Sequence, residues 1–230
     1  MRNPDFARTD LGYLENRDLQ FIIEHFPLPG RSYEEIARLV HTLPTTLESL
    51  LRSDYLFRKV CGETKLLLDI SPFLLFSVLL RRNLRDHRTQ PDRKIVNYIA
   101  NLLSLFIRTD RLFRVQAHDP MAHEYLIDLI SEGEAADSRR RFLIHSHIGN
   151  YTLFISGLFP SWIEYRHRYK RRPIDRQFYV DMGRTYFQRA ATHPMARELA
   201  LDDVFRRLAL LFEAYQGTLN EISRSYLKLC

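Results

Sequence analysis

Apolar residues recur along this chain at the 3.6-residue period of the helix, and the two-residue alternation of half-buried strands is nearly absent. From Ile95 the positions Tyr98, Ile99, Leu102 and Phe106 share one helical face, while Arg93, Lys94, Asn97 and Asn101 lie elsewhere. Tyr151, Phe154, Ile155 and Leu158 repeat at i, i+3, i+4 and i+7, which predicts a helix that stops before Pro160. The longest regular pattern is C-terminal. Leu201, Val204, Phe205, Leu208, Leu211, Phe212 and Tyr215 form one stripe about 30 Å long at 1.5 Å per residue, opened by Pro194 and closed by Gly217. The stripe is wider than a strict a/d seam, so it reads as core, with a homodimer seam as the alternative.

Start and stop signals divide the rest. Ser32 with Glu35 forms a capping box, in which hydroxyl and carboxylate satisfy unpaired amides reciprocally. Pro44 ends that helix, and Thr45 or Thr46 caps a segment running towards Gly62. Ser71-Pro72 opens a helix that is apolar on every side as far as Arg81, and a further helix starts near Pro91. Asp119-Pro120 predicts a helix to about Ile130, followed by SEGEAADS as a loop. Another helix covers roughly 174–191, and Thr218 with Glu221 boxes a last one. The expected fold is all-α: a compact multi-helix bundle of about nine to eleven helices in orthogonal or irregular packing. Residues 1–70 are expected as an N-terminal helical segment packed on a main domain of 71–230, the whole forming one globular unit.

Against this background one stretch stands out. Residues 142–163, FLIHSHIGNYTLFISGLFPSWI, carry no formal charge although 27% of the chain is Asp, Glu, Lys or Arg. Its length could cross a bilayer, but His145, His147, Asn150, Pro160 and two glycines favour a buried helix with a break at Gly149-Asn150 and no membrane span. The net charge of +6 is concentrated in two islands, residues 81–100 and 161–190. Such islands attract anionic partners without ranking them. Two cysteines in no metal-binding spacing, and an N-terminus without an apolar signal core, suggest a cytoplasmic protein.

Candidate chemistry gathers around the uncharged stretch. His145 and His147, two apart, point in different directions on a helix, and no HExxH or nearby carboxylate supports a metal site. Gly149 stands alone, without the strands a phosphate loop or nucleophile elbow needs, and fits close helix contact or a bend. No catalytic constellation, cofactor site or metal site is assigned. A pocket for a small anionic ligand would draw on His145, His147, Asn150, Tyr151, Tyr179, Asp181 and Arg184. The second island, Arg166, Arg168, Lys170, Arg171, Arg172 and Arg176, alternates with Trp162, Tyr165 and Tyr169 and forms a candidate basic edge, with Arg168 and Arg172 four apart. Residues 32–51 have the length of a helix-turn-helix, but His41 and Pro44 occupy its turn and cations are few.

The combination HIGNYTLFISGLFPSWI, FYVDMGRTYF and AATHPMARELALDDVFRRLALLFEAYQGTLNEISRSYL, with SPFLLFSVLLRRNLRD upstream, resembles a family of bacterial helical proteins. That family shares a GNY/GDY-type turn, a GLFP helix end and a Tyr-rich glycine motif. The resemblance spans roughly 71–230; it implies one coherent helical domain and brings no activity or site residue with it. The expected function is therefore a non-enzymatic regulatory or scaffolding protein that docks an acidic protein partner on the basic edge. The alternatives are nucleic-acid binding through the same edge, and a small-anion receptor or enzyme around His145, His147 and Tyr151.

Overall fold

The computed structural model describes residues 3–25, 34–35, 38, 44–62, 69–84, 92–123, 125–169 and 174–228. The Ser32 end of the first capping box, and Lys170, Arg171 and Arg172 of the basic edge, lie outside them. The fold is all-α. Helix makes up 78% of it; the described residues contain thirteen α-helices, of which eleven have seven residues or more, and no strand. The chain forms two compact units: residues 9–104, and residues 105–230 together with 1–8. The segment from Ser71 to Ser104 thus belongs with the N-terminal helices, whereas the sequence pattern had put the division at 70/71.

The 9–104 unit contains α1 (Asn16–Glu24), α2 (Pro44–Leu51), α3 (Asp54–Gly62), α4 (Pro72–Asn83) and most of α5 (Arg93–Phe106). Its core joins Phe21, Ile22 and Ile23 of α1 to Leu50, Leu51, Leu56, Val60, Leu74 and Val78. Two buried polar clusters fix how these helices meet. Asp18 is fully buried; its carboxylate accepts from the Glu15 amide at 2.8 Å and from the Ser71 amide and hydroxyl at 2.6 Å each. Ser71 in turn accepts from the Leu74 amide, so the expected cap at Ser71-Pro72 also receives α1. Nearby, Arg81 donates to both oxygens of Glu48, at 3.0 and 2.8 Å, and to Asn97 at 2.8 Å. Burial alone would raise the Glu48 carboxyl, but the guanidinia of Arg81 and Arg52 outweigh it and hold the carboxyl below its usual range.

The other unit is built on α8 (Ser138–Leu158), with α6 (Thr109–Leu112), α7 (Leu126–Ala135), α9 (Pro160–Tyr169), α10 (Arg176–Thr192), α11 (Pro194–Glu198), α12 (Asp202–Leu210) and α13 (Phe212–Ile222) around it. A π-helical turn, Ser223–Leu227, follows. The uncharged stretch is one unbroken helix up to Leu158, without the expected break at Gly149-Asn150. Its hydroxyls bond within the helix: Ser146 to the Phe142 carbonyl, Thr152 to that of Ile148 and Ser156 to that of Thr152. Pro160 has no amide to give the Ser156 carbonyl. Asn220 Nδ2 reaches that carbonyl at 2.9 Å and the Gly157 carbonyl at 2.8 Å, while Ser223 Oγ takes the Leu158 carbonyl at 2.6 Å. The C-terminus of α8 is thereby capped from α13 and the turn after it, in the interior.

Glycines mark the three crossings among α8, α10 and α13. A Cβ on Gly149 would lie 2.8 Å from the Phe187 ring, on Gly157 2.7 Å from Leu219, and on Gly183 2.1 Å from the Phe212 ring. Gly149 serves contact, not a turn. The C-terminal stripe is broken twice, although neither break contains Gly or Pro. Between α11 and α12 the Leu201 amide bonds to the Ala196 carbonyl at 2.7 Å and the Ala200 amide to Arg197 at 3.0 Å, a Schellman motif that sets Ala200 at φ 53°. α12 and α13 meet at Leu211, and α13 runs on through Gly217, so Thr218 donates to the Ala214 carbonyl and caps nothing. Asp119 does not open a helix either. It accepts from the Gln116 amide at 2.9 Å and pairs with Arg140 at 2.7 Å, and α7 covers most of the expected SEGEAADS loop.

Gly183→Ala forces a methyl into the Phe212 ring and is expected to lower stability by about 1–3 kcal/mol in chemical denaturation, as overpacking does. Ala200→Gly is expected to raise it by up to about 1 kcal/mol, because the left-handed backbone no longer strains a Cβ.

Candidate functional site

The residues proposed from sequence separate once α8 is in place. His147 is buried beside Phe106, with Nε2 3.1 Å from the Leu112 carbonyl. A carbonyl only accepts, so this nitrogen carries the proton. Burial, then the positive charge of Arg111, lowers its pKa to about 3. His147 is a neutral core residue. His145, less than one turn earlier, faces α10, with its ring edge against Tyr186 at 5.3 Å. Asn150 is buried, Asp181 is exposed and accepts from Gln177, and Arg184 is exposed beside Glu213 at 3.4 Å. Of the seven candidate ligand residues, Tyr151 and Tyr179 share a lining.

That lining belongs to an aromatic groove. Tyr151 and Ile155, four apart on α8, form its floor with Phe159. Trp162 and Arg166, four apart on α9, form one wall; Phe113 and Tyr125 form the other. The groove has a volume of about 570 Å³ and continues into a hollow of about 100 Å³ lined by Leu126, Ile174 and Tyr179. Its outer rings are accessible, Tyr125 being 55% and Trp162 37% exposed. The Arg166 guanidinium stacks 4.5 Å from the Trp162 ring centre. Burial, with the Tyr151 hydroxyl adding to it, pushes the Tyr179 phenol up to about 12 against the pull of Arg166; burial likewise raises Tyr151. Both hydroxyls are protonated donors at neutral pH, close to one cation.

Two ionic clusters hold the segments that carry the groove. Arg111 forks onto Asp5 at 2.7–3.1 Å, which ties the N-terminal 3₁₀ turn Asp5–Ala7 to α6 just before Phe113. Arg140 bridges Asp119 and Glu132 at 2.7 and 2.6 Å, and the His123 amide donates to the Phe113 carbonyl at 2.7 Å, which fixes the stretch before Tyr125.

The described members of the basic edge divide between two hollows. Arg166 belongs to the aromatic groove. Arg168 and Arg176 line a different hollow of about 640 Å³ among α9, α10 and α13, whose walls also bear Glu164, Asp175 and Glu213. Arg176 is engaged there by Gln216 at 3.0 Å. The two-residue step from 166 to 168 turns about 200° around a helix, so the split follows from helix geometry. Phe113, Tyr125 and Phe159 were not singled out from sequence. The i, i+4 pairs Tyr151/Ile155 and Trp162/Arg166 were the available signal, but nothing local joins them to Phe113 or Tyr125.

No group of three or more His, Cys, Asp or Glu residues with metal-holding geometry occurs among the described residues, and none of their helices is long and apolar enough to cross a membrane. Comparison of the chain with protein-family models, curated proteins and solved structures finds no match.

His147 makes stability depend on acid. Its folded pKa lies below the unfolded value, so the unfolded state binds the extra proton and stability falls as pH drops from about 6.5 to about 3. Calorimetric melting over this range should show that fall, and His147→Gln should reduce it while lowering stability at pH 7.

Proposed function

We propose that this protein binds a small amphipathic anion in the aromatic groove: a flat apolar body between Trp162 and the Phe113/Tyr125 wall, with an acidic group held by Arg166 and the Tyr151 and Tyr179 hydroxyls. The supporting observation is that two phenols, Tyr179 buried and Tyr151 half-buried, and one guanidinium share the lining of a largely apolar hollow. Its volume falls within the range of about 300–1,000 Å³ typical of small-molecule sites, which bind apolar bodies and orient them with a few polar groups. Arg166 is suited to the task because its stacking on Trp162 fixes the guanidinium plane in advance, so less side-chain freedom is lost when an acid docks.

Docking of an acidic protein or a nucleic acid on a continuous basic edge has less support. Arg166 and Arg168 line different hollows, and carboxylates line the one that holds Arg168 and Arg176. A nucleic acid held by that edge would lose affinity steeply with added salt. A ligand held mainly by aromatic contact would respond weakly.

Trp162 is the single tryptophan of the chain, so its fluorescence reports on the groove. 1-Anilinonaphthalene-8-sulfonate, an aromatic sulfonate, should quench it saturably. Arg166→Ala should weaken binding by about tenfold or more, in keeping with loss of a charged hydrogen bond, and Tyr179→Phe by less. Arg168→Ala serves as the control on the other face and should match the parent. Equal affinity in the parent and Arg166→Ala overturns the reading.

A further inference from the structure

A second hollow, separate from the aromatic groove, opens where α7, α8 and α10 meet. Its volume is about 370 Å³, and its polar lining consists of Glu134, Arg141, His145, Tyr186 and Arg189. Positive charge dominates. Arg141 uses Nε and Nη2 on the carbonyls of Gly133, Glu134 and Ala136, capping the end of α7, and its charge is met by no carboxylate among the described residues. Arg189, in the last turn of α10, lies over the Tyr186 ring at 4.9 Å and is also without a carboxylate partner there. Glu134 shares the lining but pairs with neither arginine. His145 Nδ1 is buried and has no hydrogen-bond partner.

We infer that this hollow binds the phosphate group of a small soluble phosphomonoester, with Arg189, Arg141 and the Tyr186 hydroxyl arranged around the oxyanion and His145 at its side. Two guanidinia and a phenol offer donors from α8 and α10 at once, which suits a tetrahedral dianion with several acceptor oxygens better than a single planar carboxylate. At about 30 Å³ for each water-sized group, the space takes a phosphate with a short organic remainder. The local field agrees. Burial, followed by the charges of Arg189 and Arg141, lowers the His145 pKa to about 4, so the hollow holds excess positive charge with a neutral imidazole beside it. A bound dianion would reverse that field and make protonation of His145 easier. The site is independent of the aromatic groove: Tyr151 lies on another face of α8, and Arg189 lines this hollow and not the groove.

The test follows the His145 ring signals of the full-length protein by NMR during titration with inorganic phosphate, sulfate and glycerol 3-phosphate. Saturable shifts with phosphate, competition by sulfate, tighter binding of the phosphomonoester and an upward move of the His145 pKa by one unit or more are expected. Arg189→Gln, at an exposed helix position, should weaken binding at least tenfold with an unchanged melting temperature, and Arg166→Ala should leave it intact. Absence of a saturable shift at His145, or equal affinity in Arg189→Gln, overturns the inference. So does Arg189-dependent cosedimentation with phosphatidic acid vesicles in a protein that ignores the soluble phosphomonoester.

Discussion

The main constraint on the 105–230 unit is that its longest helix enters the interior with no charged side chain over its last seventeen residues, so every polar group it brings must be satisfied by hydrogen bonding there. Ser146, Thr152 and Ser156 bond back to their own helix. The carbonyls that Pro160 and the helix end leave open are taken by Asn220 and Ser223. The same burial requires close approach on several sides, and Gly149, Gly157 and Gly183 provide it where α8, α10 and α13 cross. Capping, burial and tight crossing are one arrangement: the residues that close α8 come from the helix that Gly157 admits and from the turn that follows it.

This arrangement gives α8 distinct sides. His147 is sealed on one, against Leu112 and Phe106, where desolvation keeps it neutral. His145 borders a hollow shared with α7 and α10, whose arginines have no acidic partners among the described residues. Tyr151 and Ile155 floor the aromatic groove beside α9. Three side chains within seven residues thus enter three chemical environments, because each residue advances about 100° around the axis. Arg166 and Arg168 illustrate the same rotation on α9, where neighbouring cations in sequence line separate hollows.

The all-α class and many helix ends were legible from local chemistry. Ser71-Pro72 caps α4 as its residue types require, and Pro160 marks the passage from α8 to α9. The misreadings arise where tertiary contact overrules local preference. Gly149 looks like a breaker in one dimension, but the Phe187 ring occupies the space its missing side chain leaves. The breaks in the C-terminal stripe carry neither glycine nor proline; Ala200 accepts a left-handed backbone within a Schellman motif, and Leu211 turns the chain with no local marker. The groove was legible in halves only. Tyr151, Tyr179 and Trp162 were prominent in the sequence, yet Phe113 and Tyr125 are brought in by Arg111–Asp5 and by the Arg140 cluster, contacts between residues far apart along the chain or without a recognisable motif.

The clamp between Asp5 and Arg111 spans 106 positions of sequence, and the whole 9–104 unit is encoded between its two halves. During synthesis at about 5–20 residues per second, Asp5 therefore leaves the ribosome several seconds before its partner exists. The intervening unit has that interval in which to assemble its own core. The unit bearing these hollows is discontinuous along the chain: it begins with an early aspartate and resumes, after the whole 9–104 unit, with the arginine that retrieves it.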